Sequence, residues 1–251
     1  MTTRPTLLLI HGFPHDHTLW DAQRGAFSDV ADVLAPDLRG FGRDTEVPEA
    51  VTMEAYAADL AAMLDAQRID QVVLCGLSMG GYVAMAFMAK WPERVRAMIL
   101  CNTRSNGDTE EGKAARHATA SDALSKGMDV IARAMLPKVV SERTVVERPP
   151  LAREVEAMMA RQDPRAVAAA ARGMALRPDR SAWLRTIHIP TLIITGAEDT
   201  LMPLPTSEVM HAAIPHSQLV VIPGAAHLSN VENPSAFNSA VRTFLLSIPN
   251  A

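Results

Sequence analysis

Cysteine is scarce in this chain: two among 251 residues, Cys75 and Cys101, each closing an apolar run. That pattern excludes a disulfide framework and suits buried thiols in a reducing compartment, so a cytoplasmic location is expected. Long apolar runs are also missing. None approaches the roughly 18 to 20 residues needed to cross a bilayer, and no membrane partner is expected. The opening "MTTRPTLLLI" carries one Arg, a short apolar stretch and no small-residue cleavage site, so it reads as a strand of the mature fold. Positive charge is not in excess. With 24 Lys and Arg against 28 Asp and Glu, and no long basic run, the chain lacks the electrostatic footprint of a nucleic-acid binder. The eight histidines form no H-E-x-x-H spacing, so no metal is expected, and "HDH" at 15–17 is the one cluster of that kind to watch. No G-x-G-x-x-G stands between a strand and a helix. "RGFGRD" at 39–44 lacks the third glycine, which leaves a dinucleotide fold unsupported and no cofactor expected.

What the chain does have is length and apolar content. At 251 residues and 48% hydrophobic, it can bury one large α/β core. Short β-like runs at 7–10, 33–35, 72–75, 98–101, 191–195 and 219–222 each precede a more helical stretch, which argues for parallel strands joined by helical crossovers. "LLLI", "VVLC" and "LIIT" are continuously apolar, as strands are when helices cover both faces of a sheet. Helices are expected at about 52–66, 79–91, 204–213 and 234–247.

Residues 103–185 differ in character. They hold "REVEAMMARQ" and "PRAVAAAARGMA", are punctuated by Pro137, Pro149, Pro150, Pro164 and Pro178, and contain no convincing strand. The expected organisation is therefore a core formed by 1–102 and 186–251, with 103–185 as a helical cap insertion. The insertion carries 15 Lys and Arg against 11 Asp and Glu. Solvated helix faces account for most of that excess, and a pull on anionic substrates is the alternative.

The chemistry centres on "VVLCGLSMGGYVAMAF". Gly76 and Gly80 flank Ser78 in the G-x-S-x-G spacing, between a strand and a helix. A nucleophile on so sharp a turn has a strained backbone, and side chains two residues to either side would collide with neighbouring chain. The helix N-terminus that follows favours a developing oxyanion. Taken alone, the motif is equally a serine N-cap in a glycine-rich turn. A serine hydroxyl needs a general base, and the base needs an acid to fix its tautomer. Asp199 stands just past the run "TLIITG" and His227 just past "LVVIPGAA", so the chain order is Ser78, Asp199, His227. Glu198 is the competing acid. The residues after the strand ending at Cys101 are Asn102 and Thr103, which leaves no acid there.

In that order, and through "LLLIHGFPHDHTLW", "APDLRGFGRD", "GLSMGGYVAMAFMAKWPERVRAMIL", "TLIITGAEDTLMP" and "VIPGAAHLSNVENPSAF", the chain resembles the α/β-hydrolases over nearly its whole length. It is most similar to small cytosolic esterases and to 3-oxoadipate enol-lactonase-like proteins. The resemblance implies an oxyanion hole from the backbone N–H groups of Phe13 and Met79, and a structural role for His11. It also implies a mostly parallel sheet of about six strands, because the hairpin with which such folds usually begin has no counterpart before Leu7. Expected chemistry is hydrolysis of small acyl or aryl esters through an acyl-enzyme. The alternatives are an enol-lactonase-like lactone hydrolase and a non-catalytic ligand-binding member of the fold. His15, Met128, Met135 and Met158 are candidates for the substrate pocket, although a Met at helical spacing is more often core. His17 is a candidate for its entrance. Since histidine titrates near pH 6.5, activity is expected to fall on the acid side as His227 protonates. The expected partner is a small-molecule ester, with the chain a monomer or small homo-oligomer.

Overall fold

The computed structural model describes residues 4–45 and 47–249. Six strands, the number expected, form one sheet: β1 (Thr6–Ile10), β2 (Asp32–Leu34), β3 (Val72–Leu77), β4 (Val95–Cys101), β5 (Thr191–Gly196) and β6 (Gln218–Ile222). Their order is β2-β1-β3-β4-β5-β6, and every neighbouring pair is parallel. The continuous apolar runs have a direct explanation, since successive side chains point to opposite faces and both faces are covered. Leu8, Ile10, Leu74 and Leu100 belong to one cluster, packed with helices α2 (Met53–Ala66) and α3 (Met79–Lys90). Leu7, Leu9, Val73, Cys75 and Ile99 belong to the other, packed with Phe237, Val241 and Phe244 of helix α11 (Pro234–Ser247). A short helix, α1 (Asp21–Arg24), lies against α11. Cys75 and Cys101 are free thiols, buried with their sulfurs 3.8 Å apart.

Between β4 and β5 the described residues form helices and no strand: α4 (Glu110–Lys126), α5 (Met128–Val139), α6 (Glu142–Glu147), α7 (Pro149–Ala160) and α8 (Pro164–Ala175). Thr109, Ser141 and Asp163 cap α4, α6 and α8 with side-chain oxygens. Pro149 and Pro164 open α7 and α8, where a missing N–H costs nothing, whereas Pro137 sits inside α5. The Ala-rich face of α8 packs closely on α4, and α5 packs on α7. Beyond β5 follow α9 (Leu204–Ala213) and, after β6, α10 (Ser229–Glu232). No helix among the described residues is long and apolar enough to cross a membrane.

A parallel sheet sends every strand's C-terminal end to the same edge. The loop holding Phe13 follows β1, Ser78 follows β3, Asn102 follows β4, Asp199 follows β5 and His227 follows β6. Residues far apart in sequence are thereby collected at one rim.

Candidate active site

Ser78 is the turn between β3 and α3, and its φ of 54° lies in the region that non-glycine residues rarely occupy. Such strain persists only where neighbours over-determine it. Here the backbone is pinned on both sides: Ser78 N–H donates to the Cys101 carbonyl at 2.9 Å, and the Thr103 hydroxyl donates to the Ser78 carbonyl at 2.8 Å. A Cβ on Gly76 would run into the Gly80 carbonyl, and one on Gly80 into the Ile10 carbonyl. The two glycines therefore let β1, β3 and α3 approach closely enough to form the turn. Ser78 makes no side-chain cap bond to α3, so the helix-cap reading of this serine has no support in the geometry.

His227 is buried at 2% exposure, and its Nδ1 lies 2.8 Å from Asp199 Oδ2. The carboxylate accepts only, so Nδ1 is the donor in this bond, and in the neutral imidazole Nε2 is the nitrogen that keeps the free lone pair. Asp199 is in turn held by four hydrogen bonds. Oδ1 accepts from the N–H groups of Leu201 and Met202, at 2.9 Å each. Oδ2 accepts from His227 and, at 2.8 Å, from Asn102 Nδ2. Burial alone would push the Asp199 carboxyl up. The His227 imidazole and the bonds from His227, Asn102 and Met202 outweigh it and hold the carboxyl below its ordinary value, as the anion. Glu198 is exposed and makes no contact with His227 among the described bonds.

Asn102 has no counterpart in the sequence expectations beyond the remark that it is not an acid. It sits at φ 47° directly after β4, and it also donates to the Ala226 carbonyl at 3.2 Å while accepting from the Ser229 hydroxyl at 2.6 Å. It thus ties Asp199 to the loop carrying His227. Glu232, buried at 4%, holds the other side of that loop: its Oε2 accepts from Ala226 N–H, and its Oε1 from Ser141 and Thr144 at the start of α6.

Ser78, His227 and Phe13 open into one cavity of about 450 Å³, a volume typical of small-ligand pockets. Met79 is the first residue of α3, so its N–H has no carbonyl of its own helix to bond. Of the expected pocket residues Met135 lines this cavity, joined by Met174, Ile131 and Met202. His15, Met128 and Met158, also expected at the pocket, are not among its lining residues. Met128 is buried in the core cluster that includes α2 and α3, and Met158 in the one packed on α11. His15 is fully buried, neither ring nitrogen has a hydrogen-bond partner among the described residues, and burial lowers its pKa to about 3, so it is neutral. His11 bridges the Gly12 carbonyl and the Leu38 N–H, and so fixes the loop after β1. His17 lies away from the cavity, 2.7 Å from Asp37 Oδ1. Asp16, His17 and Asp37 come together as a metal site would require. Their oxygens are already engaged, Asp16 by Thr18, Arg161 and Gln162, and Asp37 by His17 and Arg43. The cluster is a structural tie between the loop after β1 and the end of α7.

Comparison with known proteins gives a consistent neighbourhood. The model of the alpha/beta hydrolase fold family matches residues 5–234. A thermophilic esterase from Thermogutta terrifontis, solved with malate bound, is 41% identical and superposes with a TM-score of 0.96, covering 99% of this chain and 92% of that one. The enol-lactonase from Burkholderia xenovorans is 27% identical with a TM-score of 0.91, covering 98% of this chain and 92% of that one. The curated 3-oxoadipate enol-lactonase 2 of Acinetobacter baylyi is 28% identical over 243 residues, which is 96% of this chain and 89% of the relative.

Proposed function

The chain belongs to the alpha/beta hydrolase fold family, and from that premise we propose that it is a serine hydrolase that cleaves small carboxylic esters through an acyl-enzyme. The observation that carries the reading is the 2.8 Å contact of His227 Nδ1 with a four-fold bonded Asp199, beside a strained Ser78 that opens into the same cavity as His227. Ser78 Oγ attacks the ester carbonyl carbon while His227 Nε2 takes the hydroxyl proton, and Asp199 stabilises the imidazolium that results. The carbonyl oxygen becomes an oxyanion, received by the N–H groups of Phe13 and Met79, each such donor being worth about 10²- to 10³-fold in rate. Collapse breaks the bond to the alcohol, which leaves with the proton from His227. Water, deprotonated by the same imidazole, then frees the acid and restores Ser78.

A second reading, hydrolysis of a lactone, is favoured by the enol-lactonases among the relatives. It uses the same steps, with the leaving alcohol still tethered to the acyl group. The test is turnover of p-nitrophenyl acetate by the wild-type, Ser78→Ala and His227→Ala proteins. Turnover lost at least about 10³-fold in both variants, by analogy with removal of members of such triads, is the expected result. Equal rates in all three proteins would contradict the reading. A panel setting aryl esters against cyclic enol esters then separates esterase from lactonase.

A further inference from the structure

The cavity that Ser78 and His227 line is not apolar throughout. Arg104, on the segment after β4, and Arg116, on α4, both line it. Both are tied to one carboxylate, Asp108, which also accepts two bonds from Arg177, at 2.7 and 2.9 Å. Arg177 is buried at 7% and stacks over the Tyr82 ring, so it is the partner that neutralises Asp108 from behind. Three guanidiniums sharing one carboxylate leave an excess of two positive charges. Burial would push the Asp108 carboxyl up, but Arg177 and Arg116 hold it at about 2, so that excess persists at any working pH.

The hydrogen-bonding capacity is in excess too. Arg116 reaches Asp108 through Nε, at 3.2 Å, which leaves its planar fork for another acceptor, and Arg104 Nε is buried without a partner among the described residues. Both side chains are about a quarter exposed, at 25% and 24%, which is enough to meet a ligand and too little for full hydration. The other charges on the cavity wall are Lys138 and an Asp122 already paired with Lys126 at 2.9 Å, and they do not cancel the excess.

We propose that Arg104 and Arg116 form an anion subsite, so that the preferred substrate is an ester or lactone bearing a second, ionised carboxylate. A guanidinium fork matches a carboxylate in geometry as well as charge, and in a cavity with low-dielectric walls the attraction is stronger than at an open surface. Asp108 acts as the anchor that prearranges the two arginines, so little side-chain entropy is lost when the anion arrives. This inference rests on the hydrolase reading above for its chemistry, and on the arginines alone for its specificity.

The test compares the mono-p-nitrophenyl ester of glutarate with p-nitrophenyl pentanoate, chains of equal length that end in a carboxylate and in a methyl. The expected result is a higher kcat/KM for the glutarate ester, corrected for spontaneous hydrolysis. Arg116→Gln and Arg104→Gln should each lower the glutarate-to-pentanoate ratio about tenfold or more, as the loss of a charge-assisted hydrogen bond implies. The exposed Arg133→Gln control, outside the cavity, should leave the ratio within about twofold. The wild-type ratio should also fall as salt is added, because ions screen the attraction. Ser78-dependent turnover of both esters with a ratio insensitive to Arg104 and Arg116 overturns the subsite and leaves the hydrolase reading intact. If neither ester is turned over, the hydrolase reading fails, and calorimetric titration with glutarate itself decides the subsite. Binding at least about tenfold tighter to the wild-type than to the Arg116→Gln protein upholds it, and equal binding overturns it.

Discussion

Replacing Asn102 probes how the acid of the site is held. Its side chain makes three hydrogen bonds: to Asp199 Oδ2 at 2.8 Å, to the Ala226 carbonyl at 3.2 Å, and from the Ser229 hydroxyl at 2.6 Å. A bond to a charged group contributes about 1.5–3 kcal/mol and a neutral one about 1 kcal/mol, so the whole set is worth a few kcal/mol. Alanine at φ 47° would add about 1–2 kcal/mol of backbone strain, which glycine avoids. The informative variant is therefore Asn102→Gly, with Asn102→Ala as the strained comparison. Without Nδ2, Asp199 keeps the amides of Leu201 and Met202 and its bond to His227 but is free to rotate about them. Asn102 does not line the cavity, so the loss should fall on kcat, with KM little altered. A fall of about 10- to 100-fold in kcat for p-nitrophenyl butyrate is expected, corresponding to about 1.4–2.7 kcal/mol in the barrier. Steady-state kinetics and a thermal melt on the same preparations check it. Wild-type kcat in an Asn102→Gly protein that melts lower would refute the reasoning, since Asn102 would then serve stability alone.

Two further outcomes follow from the geometry. Gly80→Ala would force a Cβ into the Ile10 carbonyl, a backbone clash that no rotamer relieves, so soluble yield should collapse or Tm fall by an amount reflecting about 1–3 kcal/mol or more, as measured by thermal unfolding. His15 has its pKa lowered to about 3, so between about pH 6.5 and 3 the unfolded chain binds a proton that the folded chain refuses. Stability should therefore fall with pH across that window, by up to about 1.4 kcal/mol per pH unit, and His15→Leu should flatten the slope. His11, lowered in the same direction, keeps some slope in place, and identical Tm-against-pH curves for the two proteins would contradict the assignment.

The sequence and the structure agree where the information is local. "LLLI", "VVLC" and "LIIT" are apolar because both faces of the sheet are covered, and that pattern is legible without coordinates. Ser78, Asp199 and His227 could be singled out because parallel strands bring their C-terminal ends to one rim, so strand-end position stands in for proximity. Asn102 was invisible for the opposite reason. Its bonds to Asp199 and Ser229 span 97 and 127 residues, and an Asn after a strand carries no signal of its own. The methionines show how spacing misleads. Met128, Met135 and Met158 share a helical pattern, but which of them faces the cavity depends on how α4, α5 and α7 pack, and only Met135 does. Arg104, Arg116 and Arg177 likewise contributed only to a diffuse surplus of charge until Asp108 was seen to gather them.

The central claim is that Ser78 is a nucleophile activated by His227 and Asp199. Its most direct measurement is reaction with a fluorophosphonate probe, followed by intact mass and peptide mapping. One adduct per chain, located on Ser78, absent from Ser78→Ala and formed much more slowly in Asp199→Asn and His227→Ala, is the result the account predicts. No adduct on the wild-type protein, an adduct on another residue, or labelling at the same rate in all three variants would contradict it.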